Sequence, residues 1–269
     1  MVRIAAVLIA TLTLALPQAR GQDHGDIHVG LESGALVTGS IDLDEPTPVV
    51  IPGVRVFEAA FEPGLDSTDE PGFNSTGGFP VGATVAFDVV DALRKWNGVD
   101  LATIPPERIA IVLGFNPVIL TPTTPNTTVP GFNFVSANAS GGFHQHINFF
   151  LDPPATEGVY LLTLQLRSSA AAQPSLPIYI VFRQGESAAL VEAQEAAVEY
   201  INDVLLAPPF CAGDADASLF VDFDDITSVL ANWASSYPGA TGPGDADGSG
   251  FVDFDDITAV LANWGAICD

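Results

Sequence analysis

The sequence predicts a mainly β protein that ends in a small helical domain. Short apolar alternations separated by clusters of Pro, Gly, Asn and Asp extend from residue 22 to about residue 185, a pattern typical of antiparallel strands joined by turns. A helical pattern follows in 186–206, and two near-identical acidic segments, each with a helical pattern behind it, come last. We therefore expect an antiparallel β-sandwich or jelly roll followed by a small all-α domain.

Strands in the first domain are predicted from apolar alternation bounded by turn residues. They span 25–30, 35–41, 53–60, 84–93, 108–113, 132–136, 143–151, 159–167 and 177–183. The segment 84–96 also fits one face of a helix, but Phe87 and Val90 leave that helix without a polar stripe. A buried strand is therefore the better interpretation of this segment.

The segment 186–206 breaks the β pattern, because apolar residues recur there at helical spacing with acids off the apolar stripe. Residues 207–210 then read Ala-Pro-Pro-Phe, and proline cannot continue a helix. The predicted organisation is a signal peptide at 1–21, a β-sandwich domain with a closing helix at 22–206, a linker at 207–210, and a second domain at 211–269.

The first residues have the features of a secretory signal. Arg3 supplies a positive start, and the apolar run 4–16 is too short to span a bilayer as a helix. Small residues at Ala19 and Gly21 predict cleavage before Gln22. We therefore expect a secreted protein, extracellular or at the cell surface, with no membrane insertion after signal removal. The alternative is a buried first strand or a membrane anchor.

The charge balance restricts the classes of partner. The chain has 33 Asp and Glu against 8 Lys and Arg, a formal net charge of −25 at pH 7. Such a surface repels phosphate backbones and anionic lipids, so nucleic-acid binding is not expected. Divalent cations are the natural counter-charge. The 48% hydrophobic content is high enough for a packed core.

Cys211 and Cys268 are the two cysteines of the chain, and they bracket the repeated acidic segments. An exported chain meets an oxidising compartment, where paired cysteines form bridges. One disulfide across the repeats is the expected state, with two free thiols as the alternative.

Residues 213–234 and 244–265 repeat one pattern, an acidic loop followed by an apolar helical segment. Alternate positions of each loop offer oxygen atoms, with position 7 supplying its backbone carbonyl. The oxygen donors are Asp214, Asp216, Ser218, Phe220, Asp222 and Asp225 in the first loop, and Asp245, Asp247, Ser249, Phe251, Asp253 and Asp256 in the second. Ca²⁺ takes six to eight oxygen ligands in flexible geometry, whereas Mg²⁺ demands a stiffer octahedron. We therefore predict two calcium sites.

Behind each loop the apolar residues fall at helical spacing, with Ile226 and Val229 in the first copy and Ile257 and Val260 in the second. The last ligand of each loop therefore lies in the first turn of a helix, where a carboxylate faces the positive end of the helix dipole. Each repeat is predicted to form one EF-hand-like loop and one helix.

These paired half-hands, each ending its loop in Asp, resemble a type I dockerin module over about residues 211–269. The resemblance implies a pseudo-twofold axis that brings the ends of the module together, a closure that a Cys211–Cys268 bridge would fit. It also implies a cohesin-like or other cell-surface protein as the partner. Loop positions 10 and 11 would contact that partner and are identical in the two copies, as recognition in two orientations requires. They are Phe223, Asp224, Phe254 and Asp255.

The repeats depart from the dockerin pattern at several positions. Position 5 is Ser in both loops, where the family usually has Asp. Position 6 of the first loop is Leu219, although the sharp bend there favours Gly. We therefore expect the first calcium site to be the weaker one. Phe-Asp also replaces the usual small hydroxyl pair at the partner-binding positions, which argues against a conventional cohesin.

The four histidines lie in two pairs, His24 with His28 and His144 with His146. Because His144 and His146 are two residues apart in a predicted strand, both point to one face. If the N-terminal strand lies nearby, His24 or His28 completes a Zn²⁺ or Cu²⁺ site. The alternative is that the histidines are surface or hydrogen-bonded residues without metal.

The β domain gives little information about chemistry. Stretches such as GDIHVGLESGALVTG resemble uncharacterised secreted bacterial proteins over much of 22–206, and this resemblance brings no activity. The chain has no G-x-S-x-G, H-E-x-x-H or phosphate-loop motif. We therefore expect a non-catalytic binding or structural protein docked through its C-terminal module.

Two other functions stay open. Dockerins often accompany polysaccharide-degrading enzymes, so a carbohydrate-active enzyme or a carbohydrate-binding module is one alternative. The rings available for stacking on sugars in the first domain are Trp96, Tyr160, Tyr179 and Tyr200. A secreted protein that binds a transition metal through its histidines is the other alternative.

Overall fold

The computed structural model describes residues 25–42, 48–206, 211–237 and 242–268. The predicted signal peptide, His24 and the predicted linker 207–210 lie outside the described residues. The chain divides into two compact units, the first up to Glu195 and the second from Ala196. Among the described helices, none combines the length and the apolar character needed to cross a bilayer.

The described residues are mainly β, as predicted. The strands are β1 (Asp26–Glu32), β2 (Ala35–Asp42), β3 (Val49–Pro52), β4 (Val56–Ala60), β5 (Ser67–Thr68), β6 (Phe73–Ser75), β7 (Thr84–Val89), β8 (Arg94–Lys95), β9 (Ile109–Val112), β10 (Ile119–Leu120), β11 (Val129–Ser136), β12 (Phe143–Gln145), β13 (Asn148–Leu151), β14 (Gly158–Ser168) and β15 (Ile178–Gln184). The helices are α1 (Ala188–Tyr200), α2 (Phe223–Ala231) and α3 (Phe254–Ala262), with a π-helical turn at Ile201–Leu205.

The described strands of the first unit form three sheets. Their orders are β12-β6-β1-β2-β3, β10-β9-β13-β5 and β11-β7-β14-β15-β4, and β8 adds to the last sheet by pairing with β14. Most neighbours run antiparallel, as predicted, but β1 pairs with β6 in parallel and β15 pairs with β4 in parallel. Both parallel pairs join strands that are distant in sequence, so local turn signals do not reveal them.

The predicted strand 143–151 is wrong as a single element. The structure divides it into β12, which belongs to the first sheet, and β13, which belongs to the second. The chain passes between the two sheets at His146 and Ile147, and Ile147 is fully buried there. His144 therefore lies within β12, whereas His146 lies just past its end.

Aromatic rings join the sheets into one hydrophobic core. Phe73 of β6 packs on Phe134 of β11, with ring centroids 4.8 Å apart, and Phe149 of β13 packs on Phe182 of β15 at 5.1 Å. Each pair joins a smaller sheet to the sheet that contains β14. Strand β14 is buried along nearly all of its length, which explains its almost unbroken apolar sequence. The segment with the ambiguous pattern, 84–96, begins as strand β7, as preferred from the sequence.

Helix α1 forms within the predicted helical segment 186–206. Its Gln194 is 1% exposed and anchors the helix to the sheet edge. The amide nitrogen of Gln194 donates to the carbonyl oxygens of Ala59 and Val181, each at 2.8 Å. Its amide oxygen accepts from Nε of Arg183 at 3.2 Å. A single polar side chain therefore satisfies three buried groups.

The C-terminal repeats form the two short helices α2 and α3, each directly behind an acidic loop. Asp222 and Asp253 are the N-caps, and each takes part in a capping box with the Asp three residues later. Small and β-branched side chains form the core between the repeats, which contains Ala215, Val221, Val229, Ala246, Val252, Val260 and Cys268. The predicted loop-helix repeat is thus the observed local structure.

Candidate calcium loops and a histidine cluster

Three carboxylates converge in each acidic loop. Asp214, Asp216 and Asp225 place carboxylate oxygens within 4.8 Å of one another. The second loop does the same with the residues 31 positions later, Asp245, Asp247 and Asp256. These are positions 1, 3 and 12 of each loop. Hard divalent cations prefer such a group of oxygen donors.

Backbone amides hold the position-12 carboxylates in place. Asp225 is fully buried, and its Oδ1 accepts from the amides of Ala215 at 2.7 Å and Asp216 at 3.1 Å. Asp256, also fully buried, accepts from the amide of Asp247 at 3.0 Å. Each carboxylate also accepts from the amide of its helix N-cap residue at 2.7 Å. The last predicted ligand of each loop is therefore held in place by backbone amides of the loop itself.

The hydrogen bonds within the loops do not compensate all of the buried carboxylate oxygens. Oδ1 of Asp245 is buried and has no hydrogen-bond partner among the described residues. Burial, together with the charges of Asp256 and Asp247, raises the pKa of Asp245. Burial also raises the pKa of Asp225, against the opposing effect of its backbone hydrogen bonds. A bound cation would supply the missing partner, so the residues present fit calcium.

The other predicted ligand positions have different local roles. Ser218 Oγ donates to the carbonyl oxygen of Phe220 at 3.0 Å, and Ser249 Oγ donates to that of Phe251 at 3.1 Å. Positions 5 and 7 therefore place oxygens side by side in both loops. The position-9 residues Asp222 and Asp253 cap their helices and lie outside the clustered carboxylates. A position-9 ligand often acts through a water molecule.

Positions 4 and 6 of both loops adopt the left-handed conformation. In the second loop glycines meet this requirement, Gly248 with φ 75° and Gly250 with φ 81°. In the first loop Ala217 has φ 59° and Leu219 has φ 69°. A side chain in this region costs about 1–2 kcal/mol per residue. The first loop therefore contains backbone strain that the second avoids.

The two repeats hold each other through reciprocal hydrogen bonds. The amide of Gly213 donates to the carbonyl of Ala246 at 2.8 Å, and the amide of Gly244 donates to that of Ala215 at 2.9 Å. The same exchange occurs at the other side of the loops, where Val221 N donates to Ala266 O and Val252 N donates to Ser235 O. In each exchange the two donors are 31 positions apart in the sequence, and so are the two acceptors. The unit therefore has an internal twofold relationship.

The cysteines close one half of this unit. Cys211 and Cys268 are joined in a disulfide, with Cα atoms 5.8 Å apart and a sequence separation of 57. The residues at the equivalent positions of the other half are Gly242 and Tyr237. The pairing agrees with the expectation of one bridge in preference to two free thiols.

Exposed apolar side chains are repeated on α2 and α3. Phe223 and Phe254 are 66% and 68% exposed, and each begins its helix. A leucine within each helix and a tryptophan just past its end are also exposed: Leu230, Trp233, Leu261 and Trp264. Asp224 and Asp255 lie beside the phenylalanines and are exposed as well. The two copies thus present matching surfaces.

The structure brings His144 and His146 together with Asp26, an acid that was not predicted from the sequence to belong to this site. Nε2 of His144 lies 2.9 Å from Nε2 of His146 and 3.0 Å from Oδ2 of Asp26. The three residues place ligand atoms within 4.8 Å of one another. His28 is not part of this group, and its buried Nδ1 has no hydrogen-bond partner among the described residues. Burial lowers the pKa of His28.

The first unit contains rings predicted as candidates for sugar stacking, and a cavity. Tyr160 is fully buried, and Tyr179 is half-buried with the guanidinium of Arg55 5.7 Å from its ring centroid. A cavity of about 330 Å³ is lined by Thr84, Ala86, Asn133, Arg167, Ser168, Ser169, Ala171, Ala172, Gln173 and Pro174. The lining combines the guanidinium of Arg167 with small, hydroxyl and amide side chains.

Comparisons with known proteins leave the chain without an assigned family. No family model matches it, and no curated protein matches it. Among solved structures, it is similar to a family 123 glycoside hydrolase from Clostridium perfringens, studied for glycolipid glycan hydrolysis. That similarity has 14% identity and a TM-score of 0.24, and covers 49% of this chain. The chain spans only 23% of the length of that structure. A similarity at this level supports no inference about function.

Proposed function

We propose that the chain is an exported, non-catalytic binding or structural protein that docks to a cell-surface or extracellular partner through a calcium-dependent, dockerin-like module at 211–269. In this proposal the first domain is a β-sandwich that performs the binding or structural task, and the module determines location. The observation that carries the proposal is the pair of carboxylate clusters in equivalent loops, at Asp214, Asp216 and Asp225 and at Asp245, Asp247 and Asp256.

The close spacing of the carboxylates in each loop favours a bound calcium ion over solvation by water alone. Three carboxylates repel one another when their oxygens lie within 4.8 Å, and two of the acids in the second loop are almost fully buried. Surface acids without a cation would instead spread into solvent. The oxygens of positions 5 and 7 add neutral donors beside the acids. Calcium would therefore stabilise the folded loops.

Docking is supported by the matching surfaces of α2 and α3. Phe223 and Phe254 expose large rings at equivalent positions, each followed by an exposed Asp. Aromatic residues, phenylalanine included, are enriched in the cores of protein–protein interfaces. Because the internal twofold relationship makes the two surfaces equivalent, one partner site can engage either copy. A cohesin-like protein with an apolar, basic binding face would complement this surface.

The calcium step is tested by titration calorimetry on the full chain. We expect two binding events in the wild type and one in D225N or D256N, since each substitution removes the buried charge of one loop. D203N, which changes an exposed Asp outside both loops, should bind as the wild type does. Calcium uptake unchanged by D225N and D256N, or absent from the wild type at millimolar calcium, would refute the calcium sites.

The docking step needs a separate experiment on the calcium-loaded chain. Immobilised full-length protein is exposed to envelope extract of the parent organism, with calcium or with chelator. F223A and F254A alone should retain the captured partner, whereas the double variant should lose it, because either copy suffices. Capture that survives chelation and the double substitution would reject docking while leaving the calcium sites intact.

A further inference from the structure

We propose that Asp26, His144 and His146 form a binding site for a first-row divalent transition ion, with zinc as the probe. The site lies on the outer side of the first sheet and is distinct from the calcium loops in its chemistry. Two imidazole nitrogens and one carboxylate form a donor set that suits zinc, copper or iron, whereas calcium prefers oxygen alone.

The site exists because β1 and β12 lie on either side of the short strand β6. Ile27 and Gln145 both pair with Phe73, so the next residues out, Asp26 and His146, flank Gly72. The amide of Ile27 donates to the carbonyl of Gly72 at 2.8 Å, which continues the pairing to this point. Two side chains from non-adjacent strands can therefore meet above the middle strand.

The absent side chain of Gly72 is the structural requirement for that meeting. A Cβ on Gly72 would lie 2.6 Å from Oδ1 of Asp26 and 2.7 Å from Cε1 of His146. Any other residue would thus push the acid and the imidazole apart. The backbone of Gly72 has no positive φ, so conformational freedom does not explain the glycine. The glycine is explained instead by the space above it, here called the cradle, in which the side chains of Asp26 and His146 meet.

The hydrogen bonding of His146 prepares its Nε2 as a ligand. Nδ1 of His146 lies 3.1 Å from the carbonyl oxygen of Asp69. A carbonyl can only accept, so Nδ1 carries the proton and Nε2 of the neutral ring presents a lone pair. Oε1 of Glu70, 3.7 Å from the same Nδ1, adds negative charge behind the ring. Metal-binding histidines typically have such partners on the far nitrogen.

The acid of the cluster is buried without adequate compensation. Asp26 is 5% exposed. Its Oδ2 lies at ion-pair distance from Nε2 of His144, 3.0 Å, but not in the direction a hydrogen bond needs, so it has no hydrogen-bond partner among the described residues. A buried carboxylate oxygen without a donor is costly. A cation between Asp26 and the two imidazoles would satisfy it.

Two of the three separations in the cluster agree with ligands of one ion. Ligands bound at 2.0–2.1 Å lie roughly 2.9–3.4 Å apart when they subtend right or tetrahedral angles at a metal. The observed separations are 2.9 Å between the two imidazole nitrogens and 3.0 Å between His144 and Asp26. The His144 side chain is 49% exposed, so a further coordination position faces solvent.

The primary test is zinc titration of the full chain against a chromophoric chelator, with excess calcium present to occupy the acidic loops. We expect one zinc per chain at micromolar affinity or tighter. D26N, H144A and H146A should each weaken binding by about tenfold or more. H28A is the matched control on the neighbouring part of the same sheet and should not change the affinity.

G72A distinguishes a shaped site from a general attraction of histidines for zinc. It removes no ligand but fills the cradle, so it should weaken zinc binding as the ligand variants do. Undiminished binding by G72A and D26N, or an equal loss in H28A, would overturn the proposal. An E70Q variant that loses zinc while D26N retains it would also overturn it, since the ion would then lie on the other side of His146.

A second test uses the wild-type protein, so its result does not depend on whether a variant folds. Diethyl pyrocarbonate modifies accessible imidazoles, and mass spectrometry assigns each modified histidine. Zinc should protect His144 and His146 and leave the modification of His28 unchanged, since His28 lies outside the cluster. Equal modification of His144 and His146 with and without zinc would contradict the site.

Discussion

The ring of Tyr237 covers Gly242 so closely that no room remains for a Cβ on the glycine. The two residues occupy the positions that Cys268 and Cys211 occupy in the other half of the C-terminal unit. The backbone agrees with this equivalence, because Tyr237 N donates to Gly250 O at 2.7 Å and Cys268 N donates to Leu219 O at 3.0 Å. One half is thus closed by a covalent bond and the other by an aromatic ring on a glycine.

This equivalence predicts that the second half accepts a disulfide. In the double variant Y237C/G242C, the new thiols should oxidise to a bridge, because their backbones have the relationship that places Cys211 and Cys268 5.8 Å apart. The closed loop is short, so the gain should be below the about 3 kcal/mol typical of a fifteen-residue loop. Intact mass and thiol titration of the calcium-loaded chain measure the outcome. Y237C alone should retain one free thiol, and two free thiols in the double variant would disprove the equivalence.

Leu219 should destabilise the first loop relative to the second. Replacing it by Gly relieves about 1–2 kcal/mol of left-handed strain and costs about 0.5–1 kcal/mol in chain entropy. L219G should therefore raise the free energy of unfolding by about 0.5–1 kcal/mol, as measured by urea unfolding in calcium. The reciprocal variant G250L should lower it, because Gly250 has φ 81°. Stabilisation by both substitutions, or by neither, would show that the left-handed backbone does not limit the first loop.

Gln194 should be among the most sensitive polar residues of the first unit. Q194A removes the donor for Ala59 O and Val181 O and the acceptor for Arg183. Leaving buried groups without partners should lower the free energy of unfolding by about 2–3 kcal/mol. E195Q changes the adjacent exposed residue and should stay within about 0.5 kcal/mol of the wild type. A Q194A protein as stable as E195Q would mean that water replaces the amide.

Glu107 should make the stability of the first unit depend on pH. It is 2% exposed, and its Oε1 accepts from Thr156 Oγ1 at 2.6 Å and from Thr156 N at 3.2 Å. Burial alone would raise the pKa of Glu107, but the hydrogen bonds from Thr156 and the nearby charge of Lys95 outweigh it and lower the pKa below its ordinary value of 4.5. The folded state therefore favours the charged form.

The direction of the pH dependence follows from the linkage between proton binding by Glu107 and folding. A lowered pKa contributes stability that is fully present above 4.5 and is lost as the pH falls through the folded-state value. The stability advantage of the wild type over E107Q should therefore be constant near neutral pH and shrink below pH 4.5, as followed by urea unfolding. T156V should move that loss to higher pH, and E157Q, which changes an exposed acid, should leave it in place. An advantage that grows on acidification would contradict the lowered pKa.

The C-terminal repeats were largely predictable because their information is local. The spacing of acids from Asp214 to Asp225 determines which carboxylates can meet, and the capping acids define where α2 begins. The mainly β character of the first unit and the helix α1 also follow from local periodicity. The very short strands, such as β5 and β8, contain too few residues to show a period.

The histidine cluster could not be completed from sequence because its third residue arrives by non-local pairing. Asp26 reaches His146 only because β1 runs parallel to β6 and β6 pairs with β12. The single local signal was Gly72, which follows a proline in a turn-rich segment and therefore reads as an ordinary loop glycine. His28 lies two residues further along β1 than Asp26 and is not part of the cluster, although it pairs with Asn74, as His144 does. His24, the other histidine predicted there, lies outside the described residues.

The Cys211–Cys268 bond also determines how the C-terminal unit would respond to cleavage. A protease that cuts the chain between these residues leaves both pieces covalently attached, since the bond encloses nearly all of the described repeats. The nicked protein would migrate as one species on a gel without reductant and as two with it. Separation of the two pieces would therefore require both a cut and reduction of the Cys211–Cys268 bond.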